Sequence, residues 1–156
     1  MSRIEKFKTI AYNFSLESKQ KFKHSCIITK NSKIITYGVN QGMRTKCFNN
    51  LRSCVHAEID AAHKLIKLLK RKHGKNYKNY ISKYMLWVVR IPNYKHSNVQ
   101  VLDSKPCYYC TKDLLNIGFE KIGYSTENND IIVEKLCNLI DEKPHKSNLQ
   151  KKIEKH

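Results

Sequence analysis

The sequence predicts a layered α/β domain with helices on both faces of one sheet, and three observations predict it. Apolar patterning alternates along the chain in the order helix, β-hairpin, helix, strand, helix, strand. The run Met85-Leu86-Trp87-Val88-Val89 is apolar without interruption, as a strand covered on both faces would be. The length of 156 residues and the hydrophobic content of 40% suffice for one core that needs no disulfide staples.

Taken in order, Ile4, Phe7, Ala11 and Phe14 recur at helical spacing and predict a helix from about residue 3 to 18. Two β-rich runs, Ser25 to Lys30 and Ile34 to Val39, flank Asn31-Ser32-Lys33 and read as a hairpin. Residues 40–55 show no periodicity and carry Gly42, Asn49, Asn50 and Ser53, so a loop is expected there. From Ala57, the positions Ile59, Ala62, Leu65, Ile66 and Leu69 draw a second amphipathic helix that fades into the polar stretch from Arg71 to Asn79. Pro92 ends the apolar strand, and an irregular stretch follows to Lys105. A third helix begins near Cys107, carries Leu114, Leu115 and Ile117, and stops at Gly118. Lys121 to Tyr124 and Ile131 to Val133 read as short strands, and Leu136 to Ile140 as a short helix. The expected division is a folded domain over 1–141 and a basic, frayed tail over 142–156.

A formal charge of +17 invites nucleic acid as a partner. Of the 30 basic residues, however, 25 are Lys and only five are Arg, and they are scattered rather than interleaved with aromatics, so only weak nucleic-acid binding is expected from this surface. No apolar run approaches the roughly 18 residues of a membrane span, and no membrane association is expected. The first residues lack the apolar core of a secretory signal, which points to the cytoplasm, where a close Cys pair is metal-binding or catalytic rather than a disulfide.

Two short motifs carry the chemistry. His56-Ala57-Glu58 stands where a loop becomes a helix, and Pro106-Cys107-Tyr108-Tyr109-Cys110 stands at the start of the next. A Cys-x-x-Cys there turns two thiols toward one point and favours thiolate through unpaired N–H groups. One His added to two Cys makes three ligands, which leaves a fourth position open, as in catalytic zinc sites. Glu58 is then placed to move a proton without binding metal. His-x-Glu followed by Pro-Cys-x-x-Cys is the signature of zinc nucleobase deaminases.

The chain resembles the cytidine deaminase superfamily, on the branch containing deoxycytidylate deaminases and tRNA adenosine deaminases. The likeness runs from Ile10 to about Ser125, through Gly38-Val39-Asn40, the two motifs, and the helix and strand that follow. It implies a three-layer α/β/α sandwich with a central mixed sheet of about five strands, one Zn²⁺ per chain held by His56, Cys107 and Cys110, and Glu58 as proton shuttle. It also implies substrate contacts from Asn40, from the Ala57 backbone N–H and from the Lys105 carbonyl, and assembly as a homo-oligomer. An aromatic inside the metal turn, Tyr108, is a candidate for stacking on a base. The function implied is hydrolytic deamination of a cytosine nucleotide such as dCMP, with ammonia released.

The chain departs from the free-cytidine deaminases in two places. They carry a Glu two residues after the Asn and a Cys-Gly-x-Cys-Arg-Gln turn, where this sequence has Asn40-Gln41-Gly42 and Cys-Tyr-Tyr-Cys-Thr-Lys. Fourteen residues, 92–105, also separate strand from motif where many relatives have almost none, which bears on the pocket mouth. The alternatives are the same chemistry on a base within tRNA or single-stranded nucleic acid, and a non-catalytic zinc-binding module. Cys47 or Cys54 could close a structural zinc site, and with His24 they could hold a second ion. Cys26 and Cys137 read as core residues, Trp87 likewise, and Arg44, Lys46 and Arg52 as phosphate-binding candidates ahead of Arg90.

Overall fold

The protein's structure, a computed structural model, describes residues 2–47, 50–92 and 100–140, with residues 43–47 and 50–55 described by their backbone alone. The elements are helix α1 (Arg3–Ser15), strands β1 (Lys23–Lys30), β2 (Lys33–Val39), β3 (Gln41–Cys47) and β4 (Asn50–Val55), and helix α2 (Ala57–His73). A 3-10 helix (Gly74–Lys83), strand β5 (Met85–Ile91), helix α3 (Tyr108–Ile117), strands β6 (Lys121–Ser125) and β7 (Ile131–Lys135), and helix α4 (Leu136–Ile140) follow.

The main sheet is mixed, in the order β2-β1-β5-β6-β7. Only the β5–β6 pair is parallel, and α3 makes its crossover. Strand residues alternate between two cores. Cys26, Ile28, Leu86 and Val88 meet Leu65 and Leu69 of α2, Leu114 of α3 and Leu136 of α4. Ile27, Trp87 and Val89 meet Phe7 and Ala11 of α1 on the opposite face. The result is the α/β/α sandwich that the sequence predicts. A register slip of one residue would exchange the two sets, each side chain being worth about 1.5–3 kcal/mol when buried, so the pairing is tightly specified. Trp87 needs a bare backbone beside it: a Cβ on Gly123, its partner across the β5–β6 pair, would lie 2.5 Å from the indole ring.

The structure corrects three expectations. The expected loop at 40–55 is β3 and β4, paired antiparallel as a separate two-stranded sheet. Strands that pair only with each other need no alternating apolar face, so the pattern that betrays a core strand is missing. The polar stretch after Arg71 stays helical, α2 running to His73 and the 3-10 helix to Lys83, with Ile81 buried and the Tyr80 ring stacked on His73. Cys137 is exposed rather than core, because α4 turns Leu136 and Leu139 inward and leaves the position between them facing out. Cys26 is fully buried.

Candidate active site

Both motifs cap helices. His56 is the extended N-cap residue of α2, and Cys107 that of α3, its Sγ accepting the Cys110 N–H at 3.4 Å. The first turn of α2 is fixed against β2. Asp60 accepts the Val39 N–H at 3.1 Å and pairs with Lys64 at 3.3 Å, while Lys64 donates to the Tyr37 carbonyl. Gly38 permits this approach, because a Cβ there would stand 2.4 Å from the Ala61 nitrogen. Sequence reading does not single out Asp60, whose role depends on a strand 21 or more residues away in the chain.

The two helix starts bring His56 Nδ1 to 3.0 Å from Cys110 Sγ and 3.8 Å from Cys107 Sγ, all three donors lying within 4.8 Å of one another. Zn–S distances near 2.3 Å and Zn–N distances near 2.0–2.1 Å in a tetrahedron put donors roughly 3.5–3.8 Å apart, so the set fits zinc in chemistry, the His56–Cys107 pair stands at that spacing, and the His56–Cys110 pair is closer than a bound ion would hold it. Among the described residues no other three His, Cys, Asp or Glu side chains form such a group. Cys47, Cys54, Arg44, Lys46 and Arg52 lie outside the described side chains.

Beside the donors is a cavity of about 270 Å³. His56, Ala57, Glu58 and Cys107 line its inner part, and His24, Asn40, Ser104 and Lys105 the rest. A cavity of about 460 Å³ lies at the other end of the sheet, between Arg3, Asn31, Tyr84 and Lys121, but the metal-ligating set is not there. Glu58 is 4% exposed, and burial raises its pKa above the ordinary carboxylate value although His56 and its own backbone N–H pull the other way. The hydrogen bond from Cys110 brings the Cys107 thiol down to about 4, with His56 adding to the effect, while the same bond and burial push the Cys110 thiol up. A thiolate is therefore already favoured at one ligand. Burial, then Arg90 and His56, lower His24 to about 4, which leaves it neutral at neutral pH.

Lys105 is set in place by two serines that sequence reading passes over. Ser104 donates to the Val88 carbonyl at 2.8 Å and receives the Ser125 N–H at 2.8 Å, while Ser125 donates to the Leu102 carbonyl at 2.6 Å. With the Arg90–Leu102 bridge, these bonds tie the end of the 92–105 segment to β5 and β6 just before Pro106. Asn40 lines the cavity but spends most of its amide on the chain: Oδ1 accepts from Ser18 Oγ at 2.7 Å and the His24 N–H at 2.9 Å, and Nδ2 donates to the Phe22 carbonyl at 2.6 Å. One Nδ2–H remains. Tyr108 stands edge-on to Tyr109, centroids 5.5 Å apart, and is not among the residues lining the cavity.

No helix among the described residues is long and apolar enough to cross a membrane. No curated protein matches the chain by sequence. Among solved structures it is similar to the dCMP deaminase of cyanophage S-TIM5, in complex with dCMP and dUMP at 22% identity over 77% of this chain and 78% of that one (TM-score 0.48), and in apo form at 23% over 87% of each (0.48). It is also similar to the cytidine deaminase of Mycobacterium leprae, at 17% identity over 86% of this chain and 94% of that one, with a TM-score of 0.50 that speaks for the fold. The family model for the cytidine and deoxycytidylate deaminase zinc-binding region matches residues 1–126, and those residues contain the whole of the donor set and cavity just described; the chain belongs to that family.

Proposed function

We propose that this protein is a zinc-dependent hydrolytic deaminase of a cytosine nucleotide, with dCMP the leading substrate. The observation that carries the reading is one imidazole and two thiols at two helix starts, gathered beside a cavity into which a buried carboxylate opens. Bound there by His56, Cys107 and Cys110, zinc would act as a Lewis acid that makes water nucleophilic near neutral pH.

Glu58 is too buried to serve as a surface charge and is not one of the three donors, so its work is proton transfer. It takes a proton from the attacking water as the C–O bond forms at the amino-bearing ring carbon and passes it to the ring nitrogen; it then takes the proton left on that oxygen, which becomes the carbonyl, and delivers it to the amino nitrogen as the C–N bond breaks and ammonia departs. A raised pKa suits a group that must both accept and return a proton. The Ala57 N–H and the Lys105 carbonyl bracket the base, and Asn40 offers its remaining amide hydrogen while holding His24 and Phe22 in position.

A second reading, turnover of a base in a nucleic acid strand, draws on Lys67, Lys70, Arg71, Lys72, Lys75 and Lys78, all exposed, but these lie on the far half of α2 and beyond, away from the cavity. Ammonia release by zinc-loaded protein over nucleosides, 5′-monophosphates and oligonucleotides tests the choice. Activity on a monophosphate with weak salt dependence is expected. Efficient turnover of a strand with a log-log salt slope near about −3, the mark of some four phosphate contacts, would replace this reading with the second.

A further inference from the structure

The outer face of the distal half of α2 and of the 3-10 helix concentrates positive charge. Lys67, Lys70, Arg71, Lys72, Lys75 and Lys78 are all exposed there, and no ion pair among the described residues involves any of them. From Ala61 to Leu102 the sequence contains no Asp or Glu. Folding gathers these cations. Lys67, Lys70 and Arg71 stand three and four residues apart, on the side of α2 opposite the buried Ala62, Leu65 and Leu69. Lys75 and Lys78 are one turn apart on the 3-10 helix. Lys70 reaches the Tyr77 ring, 5.1 Å from its centroid, and lines one cavity together with Lys78, where Asp113 is the one carboxylate.

The helix dipole accounts for part of this, because cations suit a last turn and Lys70, Arg71 and Lys72 stand there. It does not account for Lys67, Lys75 and Lys78. Like charges three and four residues apart repel and weaken a helix, a cost that an outside counter-charge relieves. The apolar stripe of α2 is spent on the core, and Leu68 is the one large apolar side chain that α2 exposes. A membrane would therefore find little to insert, and an acidic protein no apolar centre to bury. A second copy of the same face would be repelled. Tyr77 and Tyr80 are half-buried and already engaged by Lys70 and His73, so the bases of a single strand lack a free platform. A duplex asks only for cations along its phosphate backbone.

We infer that this face binds the phosphate backbone of double-stranded nucleic acid, without reading its sequence, as a tether and not as a substrate site. Five of the six cations are Lys, compact point charges that suit phosphate oxygens and discriminate little by geometry. Helix α2 starts at the donor set and runs away from it. Lys67 is eleven residues beyond His56, about 16 Å along the axis, and none of the six lines the cavity beside the donors. A duplex seated here leaves that cavity open. The inference does not depend on the deaminase reading.

The experiment follows binding of a fluorescein-labelled duplex of random sequence to the zinc-loaded protein, by anisotropy, across a salt series. With four or more phosphates neutralised, the log-log slope should be about −3.6 or steeper. A quadruple variant, Lys67→Gln, Arg71→Gln, Lys72→Gln and Lys75→Gln, should make the slope shallower by about 3 to 4. A control with the same loss of charge at exposed positions elsewhere, Lys6→Gln, Lys19→Gln, Lys21→Gln and Lys33→Gln, should keep it within about one of wild type. If the first variant does not fold, Lys67→Gln and Arg71→Gln made singly decide the matter, each expected to change the slope by about one. DNA and RNA duplexes run in parallel distinguish the source of the backbone, and binding of either through this face upholds the inference. Equal losses in the two quadruple variants would show net charge alone at work and overturn it, as would a slope that the face variant leaves unchanged. Tighter binding to phosphatidylserine vesicles or to polyglutamate than to a duplex would replace it with a membrane or an acidic protein. Saturating duplex should leave turnover of a monophosphate unchanged, and competitive inhibition would put the strand over the cavity and overturn the tether. If no cytosine compound is turned over, the deaminase reading fails by itself and the salt slopes still decide this one.

Discussion

The two halves of the metal site are held in different ways. At the start of α2, Ala57, Glu58, Ile59 and Asp60 are all buried, and Asp60, Lys64 and Gly38 lock the turn onto β2. At the start of α3, Tyr108 and Tyr109 are half-buried, and order comes from Cys107, whose sulfur takes the Cys110 N–H and whose carbonyl takes the Thr111 hydroxyl at 3.0 Å. The fold presents Glu58 and His56 ready-made. The Cys turn is ordered through the Cys107 sulfur itself, one of the three donor atoms.

Chelation gives the largest expected effect. With free zinc about 1,000-fold above its dissociation constant, removing the metal should cost wild type about 4 kcal/mol of stability. Cys107→Ser should show little of that difference in denaturant melts with and without chelator, and should retain far less than one zinc per chain. Equal zinc-linked stability in both proteins would break the contrast between the two helix starts.

Glu58→Gln probes the other half. Zinc content and folding should be preserved while the rate falls by at least about two powers of ten, as for a positioned acid–base group. Zinc loss alongside activity, by metal analysis, would make Glu58 part of the metal's support.

Gly38→Ala sharpens the claim that α2 is fastened by packing. A methyl forced against the backbone of Ala57 and Ala61 should destabilise the protein by about 1–3 kcal/mol, with or without zinc. A cost confined to the zinc-loaded protein would place the fastening in the metal instead.

A smaller effect is linked to pH. Glu58 in the metal-free protein has a raised pKa, so the folded state favours its protonated form more than the unfolded chain does. Its contribution to stability is then fully present below the unfolded value of 4.5 and is lost as pH rises through the folded value. Metal-free Glu58→Gln should lack that decline and should gain relative to wild type as pH rises through this window. Parallel stability curves against pH would show that burial does not hold the carboxyl up.

These contrasts also explain what sequence reading reaches. His56, Glu58, Cys107 and Cys110 are legible because each motif fits within one helical turn, where spacing and geometry are nearly the same thing. The layered fold is legible because β1 and β5 carry Ile27, Ile28 and the apolar run from Met85 that only a doubly covered sheet would use. Arg90, His24, Ser104 and Ser125 are not legible as a group, because strand pairing and the hydrogen bonds of Ser104, from segments far apart in the chain, bring them together. The β3–β4 pair escapes notice because it buries no alternating stripe. Cys137 misleads because apolar neighbours in sequence say nothing about which side of a short helix faces in.

Trp87, the chain's one tryptophan, is 6% exposed, packs on Phe7 with centroids 5.0 Å apart, and donates to Thr29 Oγ1 at 2.9 Å. It therefore acts as a built-in fluorophore for the α1 layer alone, on the side of the sheet away from the metal donors. Selective indole excitation should show a red shift when α1 comes off the sheet, whereas loading zinc should leave the emission nearly constant. Followed together with metal release during unfolding, that signal would time the loss of each layer separately.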